Sequence, residues 1–171
     1  MTNTGWAFVV GAALTFSGCY DFESPLDAAP QLPRDEAVLG QWRCLSAEPG
    51  PSGQAATIAF SPARDREYEV VLAEDDTAPE RFSGYASAVS GGTILNLREQ
   101  DGKDSGELWT LVRYSFLLPN VLRFELVDDE PLEGEQASPA TLRSALERLG
   151  AQPGVHEEFC ICVRIAKERS K

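Results

Sequence analysis

Histidine is nearly missing from this chain: His156 is the only one in 171 residues. Basic side chains are scarce as a group, with 15 Lys and Arg against 27 Asp and Glu, a formal charge of −12. Such a balance repels phosphate backbones, so nucleic acid is not an expected partner. It argues equally against adhesion to anionic headgroups through a basic patch. The common signatures of catalysis are missing too: no Gly-x-Ser-x-Gly elbow, no His-Glu-x-x-His, no glycine-rich phosphate loop. With one histidine, acid–base chemistry falls to carboxylates, and no spacing selects a pair of them. Glu74-Asp75-Asp76 and Asp128-Asp129-Glu130 lack the Asp-x-Asp-x-Asp-Gly pattern of a calcium loop and read as solvated loop charge. A non-enzymatic protein without a cofactor is expected.

Long apolar runs are missing as well. The most apolar stretch, Gly5 to Gly18, is 14 residues long, short of the ~20 that a spanning helix needs. It carries no charge and stops at Ser17-Gly18 before Cys19, the order of a secretory leader with a small-residue cleavage site. By composition alone it is either a leader cleaved for secretion or a retained anchor. Thr15-Phe16-Ser17-Gly18-Cys19 resembles the lipobox of bacterial lipoproteins. That resemblance implies lipidation of Cys19, attachment to a membrane through its acyl chains, and location in the cell envelope of a Gram-negative-type bacterium. Each buried methylene of such an anchor contributes ~0.8 kcal/mol, and two or more chains hold firmly. Inner and outer membrane both remain open, because Tyr20 and Asp21 sort differently under different bacterial rules.

The expected organisation is therefore a signal peptide over 1–18, a lipidated Cys19 with a flexible tether over 19–37, and one domain over 38–171. Three prolines and several acids between Tyr20 and Ala37 support the tether. Phe22 and Leu26 offer the alternative that part of it docks on the domain.

Beyond that point short β-rich runs alternate with turn signals. Strands are predicted over Val38–Cys44, Ala55–Phe60, Glu67–Leu72, Arg81–Val89, Thr93–Arg98, Leu108–Phe116 and Leu122–Val127. Gly91-Gly92 and Pro119-Asn120 make the tightest turns. A helix follows, with Ser138 as N-cap, Pro139 at N1 and Gly150 at C′. Its Leu142, Ala145, Leu146 and Leu149 form one apolar stripe, to pack on the barrel wall or over an open end. Phe159–Ile165 is the eighth strand. Eight antiparallel strands joined by hairpins tend to close, because closure removes exposed edges. The fold class expected is all-β with one helix: an eight-stranded up-and-down barrel with the helix between strands seven and eight.

Leu39-Gly40-Gln41-Trp42-Arg43-Cys44 resembles the Gly-x-Trp signature on the first strand of lipocalin-like (calycin) barrels. The resemblance implies that Trp42 closes one barrel end and that Arg164, from the last strand, stacks across it. If those two residues face each other, paired positions sum to 206 and Cys44 falls opposite Cys162. A wider similarity links LGQWRC, RYSFLLPNVLRFELVDDEPL and FCICVR to a group of uncharacterised proteobacterial lipoproteins, and implies no activity.

With Cys19 acylated, three thiols remain in an oxidising compartment. Cys44–Cys162 is the favoured bridge, Cys44–Cys160 the diagonal alternative, and one thiol stays free. His156 with the three cysteines would complete a Cys₃His zinc set. The Cys-x₂-Cys spacing of common zinc folds is absent and oxidation competes, so no metal site is expected. Three functions then compete, an enzyme of unrecognised type standing last. One is a binding module that holds a small apolar ligand in the barrel near Trp42, Arg164 and Trp109. Another is an envelope interaction or assembly protein with a filled barrel, meeting a protein partner through loops Ala73–Pro79 or Asp128–Gln136. The many aromatic residues on the strands lean toward a filled interior.

Overall fold

The structure is a computed structural model that describes residues 20–46, 55–74, 77–100 and 108–166. The leader and Cys19 lie outside the described residues. In chain order the elements are β1 (Asp21–Phe22), β2 (Gly40–Ser46), β3 (Ala55–Pro62), β4 (Glu67–Glu74), β5 (Glu80–Val89), β6 (Gly92–Glu99), β7 (Trp109–Leu118), β8 (Val121–Val127), helix α1 (Pro139–Leu149) and β9 (His156–Arg164). A short 3₁₀ turn, Glu130–Leu132, precedes the helix.

Alternation is the reason for the strands. Ala56, Ile58 and Phe60 in β3, Tyr68, Val70 and Leu72 in β4, and Leu122, Phe124 and Leu126 in β8 are buried, with half-exposed residues between them. A side-chain period of two with one buried face leaves a single usable register for each pair. From β2 to β9 every strand pairs antiparallel with the next, and β9 returns to β2. The result is a closed eight-stranded up-and-down barrel with the helix between its seventh and eighth strands, consistent with a lipocalin-like build. Trp42 stands opposite Arg164 and Cys44 opposite Cys162, the register expected from the sequence.

The extra strand, β1, was not expected. It pairs Asp21 and Phe22 with Thr110 and Trp109 at the start of β7. The segment 20–37, expected as a tether, is docked, and its Phe22 and Leu26 are fully buried. Their burial out of water, ~1.5–3 kcal/mol for each large apolar side chain, joins the strap's hydrogen bond to Asn96 and ion pair with Arg143 in offsetting the entropy lost on ordering the segment.

Two apolar layers result. The inner one fills the barrel with Trp42, Phe60, Tyr68, Phe124 and their neighbours. The outer one covers β5–β7 and joins Phe22, Leu26, Ile94 and Leu111 to Leu142, Ala145 and Leu146 of α1. The helix therefore lies on the wall, with the N-terminal strap beside it. Ser138 caps it through Thr141 N at 3.3 Å, and Thr141 Oγ1 accepts from Ser138 N at 3.1 Å. Gly150 is not at a left-handed C′ position as expected. It is the C-cap itself at φ −60°, and the first positive-φ residue after the helix is Gly154. Of Gly91 and Gly92 only Gly91 has positive φ, since Gly92 already pairs with Val89.

Candidate functional site

Gly40 explains the first half of the Gly-x-Trp pattern. Its φ of +120° is a conformation that only glycine adopts freely, and a Cβ there would stand 3.1 Å from Arg164 Nη1. The bend it allows turns the chain from the strap into β2 and leaves room for the guanidinium. Trp42, two residues on, points into the barrel and is fully buried, with its Nε1 donating to Val38 O at 2.8 Å. Arg164 lies over the indole with Cζ 4.1 Å from the ring centroid, a favourable cation–π stack worth ~0.5–2 kcal/mol. Arg164 also donates to Leu39 O at 2.7 Å and to Ala37 O. Two of its donors go to the chain's own carbonyls. The pair works as a latch that holds the incoming strap across the barrel end.

The same end carries groups that sequence reasoning missed. Asp35 sits at its mouth, its N–H donating to Tyr68 Oη at 2.7 Å and its carboxylate accepting from Tyr114 Oη at 3.1 Å. Burial, and then the Asp35 charge, push the Tyr114 hydroxyl far above its ordinary range. Burial also raises Tyr68. Both tyrosines stay neutral at physiological pH and serve as hydrogen-bonding stops. The alternation of β4 and β7 would have placed the two rings inward, but nothing in the sequence pointed to Asp35.

At the seam, Cys44 and Cys162 form a disulfide across directly paired positions of β2 and β9. Cys160 is a buried thiol two residues from Cys162 on the same inward face, with its Sγ 3.6 Å from Cys162 Sγ. The three sulfurs lie within 4.8 Å of one another. Desolvation, with a smaller contribution from Glu158, pushes the Cys160 thiol up to about 12. His156 does not join this cluster among the described residues. It begins β9 beside the helix C-terminus, where burial and Arg113 lower its pKa while Glu125 partly opposes them.

Trp109 is not at the Trp42 end. It faces outward on β7, edge-on to Tyr85 at 5.9 Å between centroids, with Arg98 over its ring at 5.2 Å. There it packs with the outer layer beside the strap. One buried polar group organises that layer. Asn96 Oδ1 accepts from Leu26 N at 2.7 Å, and its Nδ2 donates to Ser87 Oγ at 2.9 Å and Tyr85 O at 3.2 Å. Arg143 of α1 completes the clamp by reaching Asp27 Oδ1 at 2.8 Å and Ala88 O at 2.6 Å. The loop Asp128–Gln136, expected to meet a partner, is tied down as well: Leu132 is fully buried and Gln136 Oε1 accepts from Glu23 N at 3.3 Å. In the loop Ala73–Pro79, residues 75–76 lie outside the described residues.

The barrel interior holds a cavity of about 30 Å³ lined by Ile58, Phe60, Val70, Leu95, Phe124 and other apolar side chains. That is the room of about one water molecule, with no polar partner to hold one. Phe60 and Phe124 stack at 5.9 Å across the space, and Tyr68 meets Phe60 edge-on at 6.2 Å. The outer wall of β2, β9 and β8 contrasts with the covered wall of β5–β7. Leu45 pairs with Ile161 and Arg43 with Val163, and Leu45, Ile161 and Val163 are exposed by 58%, 38% and 49%. Comparison with protein-family models, with curated proteins and with solved structures returned no match.

Proposed function

We propose that this chain is an envelope lipoprotein, anchored through Cys19, whose filled barrel is a non-enzymatic interaction module for a protein partner. The observation that carries the reading is the size of the cavity described between Ile58, Phe60 and Phe124, about 30 Å³. A site for even a small lipid takes ~300 Å³ or more, an order of magnitude beyond it. Occupancy would require expelling Phe60 or Phe124 from their stack. The lipid anchor rests on the Phe16-Ser17-Gly18-Cys19 ending, and the seam disulfide suits the oxidising side of a membrane. The surface offered is the wall of β2, β8 and β9, which no described element covers. Leu45, Ile161 and Val163 supply its apolar centre, and Arg43 and Arg123 stand beside them. On a chain of charge −12 this fits a partner with an apolar patch rimmed by acids.

Three measurements test the proposal together. Palmitate label should enter the wild type and not Cys19→Ser. A photo-crosslinking residue at Ile161 should trap one discrete protein in the envelope, whereas one at Ala140 on the exposed face of α1 should not, and Val163→Glu should abolish the adduct. Protein extracted from its native membrane should carry no stoichiometric apolar molecule inside the barrel. Recovery of such a molecule at one per chain would overturn the interaction reading in favour of a ligand barrel.

A further inference from the structure

The seam uses two of three clustered cysteines, and the third has no role in the latch or in the exposed wall. Inward alternation on β9 places Cys160 and Cys162 on the same face as Cys44. Cys162 is directly opposite Cys44. Cys160, opposite Ser46, is the diagonal neighbour. Diagonal positions on antiparallel strands are usually too far apart to bond, with Cα atoms ~7–8 Å apart. Here the sulfurs converge: all three lie within 4.8 Å, and Cys160 Sγ is 3.6 Å from Cys162 Sγ. We propose that Cys160 is a second partner for Cys44, so that the seam carries two interchangeable disulfides, Cys44–Cys162 in the closed barrel and Cys44–Cys160 once the wall has opened.

The exchange needs no external oxidant. Cys160 loses its proton to water, and its thiolate attacks Cys44 Sγ. The Cys44–Cys162 bond breaks as the Cys44–Cys160 bond forms, and Cys162 leaves as a thiolate that takes up a proton. One disulfide and one thiol stand on each side of the step. Only the thiolate attacks, and in the closed apolar interior the Cys160 thiol is pushed up to about 12. The thiolate fraction there near neutral pH is ~10⁻⁵, so the closed barrel holds one isomer. The wall has a place to open. The ladder between β8 and β9 slips register between Phe124 and Glu125, immediately beside Cys160, which pairs with Phe124. Such an irregularity breaks the even spacing of the ladder beside Cys160. Opening at that point would hydrate Cys160, restore its thiolate, and let Cys44 change partners without freeing the first strand from the last.

The test uses the full chain and peptide mapping after a short N-ethylmaleimide pulse. In native buffer, neither Cys160 nor Cys162 should take the label within the pulse. After equilibration in urea below the unfolding midpoint, label should appear on both. Peptides with labelled Cys160 should retain Cys44–Cys162, and those with labelled Cys162 should retain Cys44–Cys160. Label confined to Cys160 at every urea concentration would overturn the proposal. As a second arm, Cys162→Ala oxidised with glutathione disulfide should yield Cys44–Cys160 and keep more than half of the melting-temperature gain that the wild type shows over Cys44→Ala. A folded Cys162→Ala protein with two alkylatable thiols would also overturn it. If that variant fails to fold, the urea pulse on the wild type decides alone.

Discussion

Breaking the seam disulfide should cost a large share of the protein's stability. Cys44 and Cys162 are 118 residues apart and close nearly the whole barrel into one loop. Loop-closure entropy for that length gives about 5 kcal/mol at 25 °C, and residual structure in the reduced unfolded chain brings the expectation to about 3–5 kcal/mol. For a domain of this size, that corresponds to a fall in melting temperature of about 8–20 °C. Urea unfolding of the oxidised protein, with and without a phosphine reductant, measures the difference directly. The oxidised form should also show the smaller m-value, because a cross-linked unfolded chain exposes less surface. Cys44→Ala should fall below the reduced wild type by about 1 kcal/mol more, since a buried sulfur is then removed and the interior closes only in part. A difference of less than about 1 kcal/mol between oxidised and reduced protein, at equal m-values, would refute the reasoning. It would mean that the reduced, unfolded chain already holds its first and last strands together.

Asn96→Ala should detach the strap while the barrel stays closed. The variant leaves Leu26 N–H and Ser87 Oγ without their partner in a buried layer, at a cost of about 2–4 kcal/mol for the two groups. Proteolysis between Leu26 and Ala37 and loss of hydrogen-exchange protection at Leu26 would report it, with the near-ultraviolet signal of Trp42 unchanged. His156 should make the protein weaker in acid. Its folded pKa lies below the ordinary 6.5 because burial and Arg113 disfavour the cation. The unfolded chain therefore binds the extra proton first, and stability contributed by the neutral ring is complete above about 6.5 and lost as pH falls from there through the folded pKa. Melting curves between pH 5 and 8 should show this slope in the wild type and lose it in His156→Asn; an unchanged slope would assign it to other groups.

The strands, the helix and the closing register were determined by the sequence, because each rests on a local rule. Side chains in a strand alternate with a period of two, so Ile58, Phe60, Val70 and Leu72 face inward wherever the strand is placed. Ser138, Pro139 and the Leu142–Leu146 spacing specify a helix through backbone groups a turn away. Trp42 with Arg164 and Cys44 with Cys162 agree on one sum of positions, so a single antiparallel pairing satisfies both. The tertiary structure alone decided what those elements cover. Leu26 reads as part of a proline-rich acidic linker until Asn96, 70 residues away, offers its backbone a buried acceptor. Trp109 is one more aromatic on a strand until Phe22 pairs beside it on the outer wall. Asp35 closes a barrel end through two tyrosines on different strands. These contacts join groups distant along the chain, and the space left between Phe60 and Phe124 depends on how whole side chains interlock after the barrel closes. Composition and period carry no record of that packing, so the fit of the interior side chains and the exposure of the outer wall among the described residues are properties of the folded barrel.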